Sequence, residues 1–486
     1  MLNKRTSLFR NFLMAACLWC FISKGHADEF EYAELLIESE VKAESHGLIE
    51  SSLLKRKPEE STMERLTDQS ELVRTDTESI EGFDMASTPE MVASISSKNG
   101  RDWAGFSISG WGTTGFTWNP LNPENGLNRP VLFNDQSNEF TLDQAYGVLE
   151  WESANWNVET RIDFLLGNDA RFIGVPGLEK HHDGSEKWSS ESNEVQVAIP
   201  QAYLLIESDR VFPIELKIGH FVAPESYESF SSLSNVFYSR SYAFNFATPF
   251  TYSGILAKAT ISEWFEGYAG VTTGWDNWHA GRGRWSTLLG LKRTNYERSQ
   301  SYSLFASVGT DSTNVIYQGG HDSDRRLSIR ASIEQRIGSY WNYAFNAIYG
   351  EQDESVVRVD IPQYTIGFDK ANWYGLSQYL IWTPTQWSTA GVRMEWFRDA
   401  DQSRIAVPVE FVPFGPAFTG GNYFAISGVI SQWINSSIRI RSELRWDISD
   451  FKGNGNVPSG NPEIRAFGDR HSVDQWLLSG DVTIRF

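Results

Sequence analysis

Cysteine is nearly absent from this sequence, with two residues in 486, Cys17 and Cys20, both close to the N-terminus. A disulfide framework, a cysteine nucleophile and a thiolate metal site are therefore not expected in the rest of the chain. Long apolar runs are also scarce. Beyond the N-terminus, no uninterrupted run reaches the ~20 residues that a membrane-spanning helix needs. A helical membrane protein is therefore not expected.

Positive charge is in deficit, because 62 acidic side chains face 42 basic ones and the formal net charge is −20. A nucleic-acid partner is not expected, since phosphate backbones recruit basic surfaces. Aromatic residues, by contrast, make up 14% of the chain, with 19 Trp and 18 Tyr. Transmembrane β-barrels place such side chains at both membrane–water interfaces. The aromatic content therefore favours a membrane barrel over a soluble domain.

Residues 1–27 have the pattern of a secretory signal peptide. Basic residues precede an apolar stretch from Phe12 to Ile22 that is too short to anchor the chain. Small residues at Gly25 and Ala27 predict cleavage after Ala27, so the mature chain would contain no cysteine. Processing as a lipoprotein at Cys17 or Cys20 is the alternative, which the residues just upstream of each do not favour.

Residues 28–102 form an acidic segment with 19 Asp and Glu against 8 Lys and Arg. The segment is poor in aromatic residues and rich in Ser, Glu and Thr, so it cannot bury much apolar surface. We expect a periplasmic leader that is disordered or partly helical, and its function stays open. A short coiled coil or a tether to another envelope component is the alternative, which the irregular heptad spacing does not favour.

From residue 103 to 486 the apolar residues alternate with a period of two, which is typical of β-strands. In the clearest segment, Ile438, Ile440, Leu444 and Trp446 alternate with Arg439, Arg441, Glu443 and Arg445. Successive side chains of a strand point to opposite faces, so this segment has one apolar and one charged face. A soluble sandwich could show the same alternation. The repeated segments are each roughly 10 residues long, which suits a tilted strand that crosses a bilayer.

Short and long connections alternate between these segments. Tight links lie near residues 153–155, 208–210, 262–263, 296–299, 338–339, 384–386 and 435–436. Longer polar stretches lie at residues 119–139, 169–197, 223–243, 276–284, 311–323, 354–371, 400–420 and 448–473. Short turns on one side and long loops on the other are typical of outer-membrane barrels. We predict an all-β fold, a transmembrane antiparallel up-and-down β-barrel of about 16 strands over residues 103–486.

The last segment ends on an aromatic residue, Phe486, which shares its parity with Trp476, Leu478, Val482 and Ile484. A terminal Phe after an alternating strand resembles the signal that outer-membrane proteins present to their assembly machinery. We therefore predict that Phe486 is an assembly signal, with the barrel assembly machinery and outer-membrane lipid as partners.

Several stretches carry a family resemblance. They are residues 110–120, beginning Gly110-Trp111-Gly112, and residues 133–140, 163–172, 235–242, 248–254 and 393–399. Together they resemble the OmpL-like β-barrel porin family across most of residues 103–486. The family reads Ser-His-Ser where Arg240 stands between two serines, and His where Tyr252 stands, so the chain resembles a divergent member. The resemblance implies an outer-membrane barrel with a porin role.

If the apolar parity faces lipid, the charged parity faces the lumen. The predicted pore-lining residues are Glu159, Arg161, Asp163, Lys217, Arg330, Glu334, Arg393, Glu395, Arg439, Arg441, Glu443, Arg445 and Arg485, with Asp481 on the same face. Charges that line a pore bias the passage of ions. Opposite charges on neighbouring strands also brace a barrel wall. The mixed signs predict no firm preference, although the arginines of the fifteenth strand point towards anionic solutes.

The segment Glu225–Tyr242 is the predicted constriction loop. It contains more aromatic surface than a loop leaves in water, so we expect it to fold into the lumen or to pack on the rim. Its candidate residues are Tyr227, Phe230, Phe237, Tyr238, Arg240 and Tyr242.

No metal site, catalytic site or cofactor is predicted. His181 and His182, next to Asp183, lie in a long polar loop and lack an evident third ligand for a shared ion. A barrel hydrolase would need a Ser–His pair that a third group orients. From the sequence, no serine can be paired with His220.

The leading hypothesis is an outer-membrane porin-type channel for the passive diffusion of small hydrophilic solutes, with a homotrimer as one candidate assembly. The alternative is a narrow or plugged barrel with a surface-binding, adhesion or structural role in the envelope. An enzymatic barrel is not favoured.

The face assignment predicts opposite outcomes for two neighbouring residues. Ile440→Arg should impair barrel assembly, because a charge at the lipid face costs ~2–4 kcal/mol at the bilayer midplane. Arg441→Ser should leave assembly intact and alter the conductance. Folded yield and planar-bilayer current are the measurements. Normal assembly of Ile440→Arg together with failure of Arg441→Ser would show that the faces are reversed.

Overall fold

A computed structural model describes most of the chain from residue 105 onwards. The described residues are 105–153, 156–181, 185–188, 194–209, 213–279, 285–295, 297, 299–310, 325–358, 365–399, 403–405, 421–451, 465–469 and 471–486. The predicted signal peptide and acidic leader lie outside them. Within the described part, no helix is both long enough and apolar enough to cross a membrane.

Sixteen antiparallel strands form a closed barrel. Each strand pairs with the next strand along the chain, and β1 pairs with β16. The strands are β1 Phe106–Trp118, β2 Phe140–Glu152, β3 Val158–Gly167, β4 Gln196–Ser208, β5 Ile214–Val222, β6 Thr251–Ser262, β7 Phe265–Trp275, β8 Ser286–Thr294, β9 Gln300–Thr310, β10 Arg325–Ile337, β11 Trp341–Arg358, β12 Thr365–Thr385, β13 Ser388–Asp399, β14 Gly421–Trp433, β15 Ile438–Ser449 and β16 Asp474–Arg485. Two short helices lie in the loops, α1 Ala170–Ile173 and α2 Tyr242–Ala247. The predicted all-β barrel and its sixteen strands are confirmed.

The two faces of the strands differ in side-chain chemistry. On β15, Ile440 is 45% exposed and Leu444 is 47% exposed. Arg441 and Glu443, which lie between these two residues in sequence, are each only 1% exposed. This contrast arises because alternate side chains point outwards and inwards. The apolar parity therefore covers the outside of the barrel, where lipid would contact it.

Aromatic pairs lie near both ends of the outer face. Trp446 and Trp476 stack with ring centroids 5.1 Å apart towards the long loops. Trp341 and Trp382 stack at 6.1 Å beside the short turns. Rings at these two levels match the aromatic girdles that mark the membrane–water interfaces of outer-membrane barrels.

Two predicted loops have the wrong bounds. The loop predicted at residues 354–371 is largely strand, since β11 and β12 pair out to Arg358 and Thr365. Strand β10 pairs with β11 only as far as Gln352, so the rest of this hairpin extends past β10. A two-stranded ribbon past the membrane needs no apolar face, which explains why its polar sequence looked like a loop. The third long loop is also longer than predicted and runs over residues 223–250, because α2 belongs to it.

The C-terminal residue closes the barrel against β1. The amide of Phe486 donates to the carbonyl of Gly110 at 3.0 Å, and the amide of Gly110 donates back to the carbonyl of Phe486 at 3.1 Å. The Phe486 ring lies over the space that a side chain at position 110 would fill. The ring itself is 72% exposed on the outer face. Its predicted role as an assembly signal stays a prediction.

This closure gives a matched pair of substitutions. A Cβ atom at Gly110 would meet the Tyr146 carbonyl and come within 2.7 Å of the Phe486 ring, whereas a Cβ at Gly112 would meet nothing within 4 Å. We expect Gly110→Ala to lower the free energy of unfolding by about 1–3 kcal/mol, the usual cost of overpacking. Gly112→Ala should change it by less than about 0.5 kcal/mol. Urea unfolding in detergent, monitored by heat-modifiable gel migration, measures both changes. Equal effects of the two substitutions would contradict the close contact of Phe486 with β1 at Gly110.

Candidate functional site: the inward-folded third loop

The third long loop, residues 223–250, connects β5 to β6 and lies inside the barrel. Five of its predicted constriction residues are almost fully buried, with exposed fractions of 2% for Phe230, 3% for Phe237, 5% for Tyr238, 1% for Arg240 and 0% for Tyr242. The sequence left two positions open for this aromatic surface, the lumen and the rim. The structure shows it in the lumen, where the loop contacts strands on the far side of the barrel.

The loop follows the inner face of β15, to which arginines bind its backbone. The hydrogen bonds run from Arg439 to the Leu233 carbonyl (3.0 Å), from Arg441 to those of Asn235 (2.7 Å) and Phe237 (3.0 Å), and from Arg445 to that of Arg240 (3.1 Å). Carbonyl groups in this loop have no strand partner, so the guanidinium donors supply the hydrogen bonds that buried backbone needs. The order of the contacts shows that the loop and β15 run in the same direction.

Glu443 binds the same loop from the acceptor side. Its carboxylate accepts from the amides of Tyr238 (2.7 Å) and Ser239 (2.9 Å) and from the Ser239 hydroxyl (2.5 Å). Glu228 of the loop in turn accepts from Arg393 of β13 at 2.8 Å. Hydrogen bonds to ionised groups are stronger than neutral ones, so these contacts fasten the loop to the wall.

The short helix α2 is positioned by the same kind of contact. Ser241 is its N-cap, and the Ser241 hydroxyl accepts from the Phe244 amide at 3.1 Å. That hydroxyl also donates to Glu228 at 2.5 Å. Glu395 of β13 accepts from the Tyr242 amide at 2.6 Å. The start of the helix is therefore bound both to its own loop and to the barrel wall.

Several predicted pore-lining charges are paired with one another on the inner face. The pairs include Arg161 with Asp163 (2.8 Å), Arg393 with Glu395 (3.3 Å), Arg441 with Asp481 (2.7 Å) and Arg445 with Glu395 (3.0 Å) and Asp447 (2.8 Å). Their arginine side chains are at most 1% exposed. The arginines of β13 and β15 among them support the loop, and none of these arginines faces open water. The arginines of β15 therefore give little support to a preference for anionic solutes.

These contacts revise the expectation for Arg441→Ser. The substitution removes a buried ion pair and two hydrogen bonds to the loop backbone. It should therefore loosen the loop as well as change the current.

The other predicted pore-lining residues lie elsewhere on the inner face. Glu159, Lys217 and Glu334 are partly exposed near the short turns. Arg485 lies over the Trp433 ring at 4.6 Å. Arg330 of β10 is fully buried and donates to the Ala247 carbonyl at 2.9 Å. The third loop therefore reaches β10 as well as β15.

The second long loop, residues 168–195, packs against the third through Gln144 of β2. The Gln144 amide nitrogen donates to Asp169 and to the Phe230 carbonyl, both at 2.7 Å, and its oxygen accepts from the Ser232 amide at 3.0 Å. Burial raises the pKa of the Asp169 carboxyl well above its usual range, because desolvation disfavours the charged form. One buried amide therefore joins the two loops.

The wall formed by β8 to β11 is built differently. Many of its inward positions are serine or glycine, namely Ser286, Gly290, Ser303, Ser307, Ser328, Ser332 and Gly350. Ser303 and Ser332 lie opposite each other in the register, with hydroxyl oxygens 2.6 Å apart. Sequence reasoning missed this serine-lined wall because it searched the inner face for charges. The serines that share the inward parity of β9 and β10 were the signal that could have identified it.

The family of the chain follows from its sequence over the whole barrel. Residues 105–486 match the family described as "Putative beta-barrel porin-2, OmpL-like". The chain belongs to this family. The predicted resemblance is confirmed, and this protein is an outer-membrane channel of the porin type. Among curated proteins, none matches the chain.

A solved porin shares the fold at low identity. An anion-selective porin from Comamonas acidovorans is 8% identical, with a TM-score of 0.50, and the match covers 78% of this chain and 99% of that one. The outer membrane channel DcaP of Acinetobacter baumannii is 9% identical, with 79% and 99% covered and a TM-score of 0.48. OprB of Pseudomonas putida is 12% identical, with 79% and 94% covered and a TM-score of 0.48.

The porin does contain a Ser–His contact, which sequence reasoning did not find. The Nδ1 atom of His220 on β5 lies 2.8 Å from the Ser253 hydroxyl on β6, and both residues are buried in the wall. Their register pairing brings them together across 33 residues of sequence. Catalysis would also need a third group that orients the ring. The ring lies 5.6 Å from that of Trp278, which indicates packing.

The histidines of the second loop fall partly outside the described residues. His181 is described, whereas His182 and Asp183 are not. Among the described residues, no group of three or more potential ligands could hold a metal ion.

Glu443 gives the sharpest test of how the third loop is held. Glu443→Ala leaves two buried loop amides without their acceptor, at a cost of about 3–5 kcal/mol. We expect the loop to leave the wall, the single-channel conductance to rise several-fold, and residues 225–242 to become sensitive to protease. Glu443→Gln should have a smaller effect, and Ser442→Ala on the outer face should have none. Unchanged conductance and protease resistance in Glu443→Ala would contradict the proposed anchoring.

Proposed function

We propose that this porin passes small hydrophilic solutes by passive diffusion along a narrow path beside β8 to β11. The supporting observation is the contrast between the two sides of the lumen. On the side of β13 to β16, the third loop fills the barrel and charged groups bind it to the wall. On the other side, serine and glycine occupy many of the inward positions of β8 to β11, among larger residues such as Leu288, Phe305 and Ile348.

Serine hydroxyls suit such a path because each can both donate and accept a hydrogen bond. A solute can therefore exchange its water contacts for wall contacts without a charge of fixed sign. Towards the short turns, the inward neighbours of these serines are Lys292 and Glu334, which are partly exposed. Lys292 and Glu334 offset each other, while Arg326 and Arg330 of the same wall are buried and hydrogen-bonded to Gln352 and to the Ala247 carbonyl. We therefore expect this wall to suit uncharged hydrophilic solutes.

The narrowest point of the path is proposed at Arg330. This residue binds Ala247 and, at 2.8 Å, the Thr248 hydroxyl of the third loop. Its register neighbour on β9 is Phe305, which packs against Tyr268 with ring centroids 5.1 Å apart. A loop that reaches this wall leaves room for small solutes only.

The remaining parts of the proposal come from the sequence. We propose cleavage after Ala27, a periplasmic leader over residues 28–102, recognition of Phe486 by the barrel assembly machinery, and assembly as a homotrimer. N-terminal sequencing of the mature protein and its native mass in mild detergent test the first and last points. A mature chain that starts elsewhere than Asp28, or a monomer, would contradict them.

A second candidate function is a plugged barrel with a surface-binding or structural role. The observation that favours it is the β11–β12 hairpin, which continues past the last pair that β11 makes with β10. A well-folded barrel that inserts into bilayers but never conducts would support this candidate over diffusion.

Single cysteines test the path, because both natural cysteines lie within the predicted signal peptide. We expect a charged thiol reagent to reduce the current of Ser328→Cys several-fold, since position 328 faces the proposed path. The matched control is Ile329→Cys, the next residue on the same strand, which faces outwards. The same reagent should leave its current unchanged. A current insensitive to modification of Ser328→Cys, with labelling shown by mass, would contradict the path.

A further inference from the structure

Four side chains form a stack at the long-loop end of the serine-lined wall. The guanidinium of Arg404 lies over the Trp275 ring at 5.4 Å and over the Trp373 ring at 5.0 Å. Arg326 lies over Trp275 at 4.7 Å. Trp275 and Trp373 are 4% and 0% exposed. The Trp275 indole nitrogen donates to the Ser307 hydroxyl at 3.3 Å, so the stack rests directly on the serine-lined wall.

The two tryptophans reach this position from different strands. Trp275 ends β7, and Trp373 lies on β12. Trp373 pairs with Gly350 of β11, and a Cβ atom at Gly350 would come within 2.5 Å of the indole. Glycine at this position therefore lets the indole lie flat against the inner wall.

Arg404 enters the barrel from the loop after β13. Asp399 holds the backbone there, because its carboxylate accepts from the amides of Ser403 (2.9 Å), Arg404 (2.7 Å) and Ile405 (2.6 Å). The Arg404 side chain then donates through Nε to the carbonyl of Phe246 in α2 at 2.5 Å. One arginine thus connects the seventh long loop, the third loop and the wall.

The chemistry of this contact is that of guanidinium recognition. Planar guanidinium groups stack on aromatic faces, where the ring quadrupole attracts the cation. Arg326 already occupies Trp275, and like charges repel, so the attraction that holds Arg404 is reduced. These features describe a slot that accepts a guanidinium group. Arg404 is also held by Phe246 and by the backbone contacts of Asp399, so a guanidinium solute competes with it for the ring faces only.

We propose that Trp275 and Trp373 form a guanidinium-binding slot at the long-loop end of the lumen and that Arg404 occupies this slot as an internal gate. A solute that carries a guanidinium group competes with Arg404 for the slot. This inference rests on the proposed function, because the slot lies on the proposed path. It adds a residue that gates the path and a class of solute that the gate recognises.

Chemical rescue tests the slot in the full mature chain. In planar bilayers, Arg404→Ala should conduct several-fold more than the wild type, because the gate is absent. Guanidinium chloride should return that conductance towards the wild-type level by filling the slot. Sodium chloride at the same ionic strength should not. The double variant Arg404→Ala with Trp373→Leu should keep the high conductance in guanidinium.

Arg398→Ala is the matched control, since Arg398 lies near Arg404 in sequence but donates to Asn422 on β14 at 3.2 Å. Its conductance should equal that of the wild type with and without guanidinium. Heat-modifiable gel migration shows that each variant is folded.

Each outcome separates the gate from the channel. Equal currents in the wild type and Arg404→Ala overturn the gate and leave the proposed diffusion standing. High conductance in Arg404→Ala without rescue, or equal guanidinium block in the single and double variants, overturns the slot. Folded protein that conducts in no variant overturns both the gate and the proposed diffusion.

Discussion

Charged groups that a barrel would otherwise turn towards water are used here to hold a loop inside it. Arginines of β13 and β15 bind carbonyl groups and carboxylates of the third loop, while Glu443 accepts from the loop's amides. Buried ions of this kind are costly unless each one is paired and hydrogen-bonded. The loop supplies the backbone partners, and neighbouring strands supply the opposite charges. The position of the loop and the shape of the lumen depend on this arrangement.

Much of the fold could be predicted because a barrel strand has only two faces. The alternation of Ile440 and Leu444 with Arg441 and Glu443 predicted which side chains point outwards, and the lengths of the connections predicted the strand count. The full length of the β11–β12 hairpin was not predicted, because the parts of strands that extend beyond the membrane need no apolar face. Local pattern therefore predicts the spanning part of a barrel better than the part outside it.

The site was predicted less completely, for a physical reason. Aromatic content alone indicated that the third loop must be buried. It could not show that Arg393 would meet Glu228 across 165 residues of sequence, or that Ser253 would lie beside His220. Such pairs depend on strand register and on the path of the loop. The inward serines of β9 and β10 were visible in the sequence, but the side of the lumen that the third loop occupies was not.

We propose that the third loop fills one side of the lumen and leaves a narrow path along β8 to β11. Single-channel recording of residues 28–486 with uncharged polymers of graded size tests it most directly. We expect small stepwise currents that only the smallest polymers reduce, because only they can enter the path. A large current that polymers of every size reduce would show that the loop does not fill the lumen and would contradict the account.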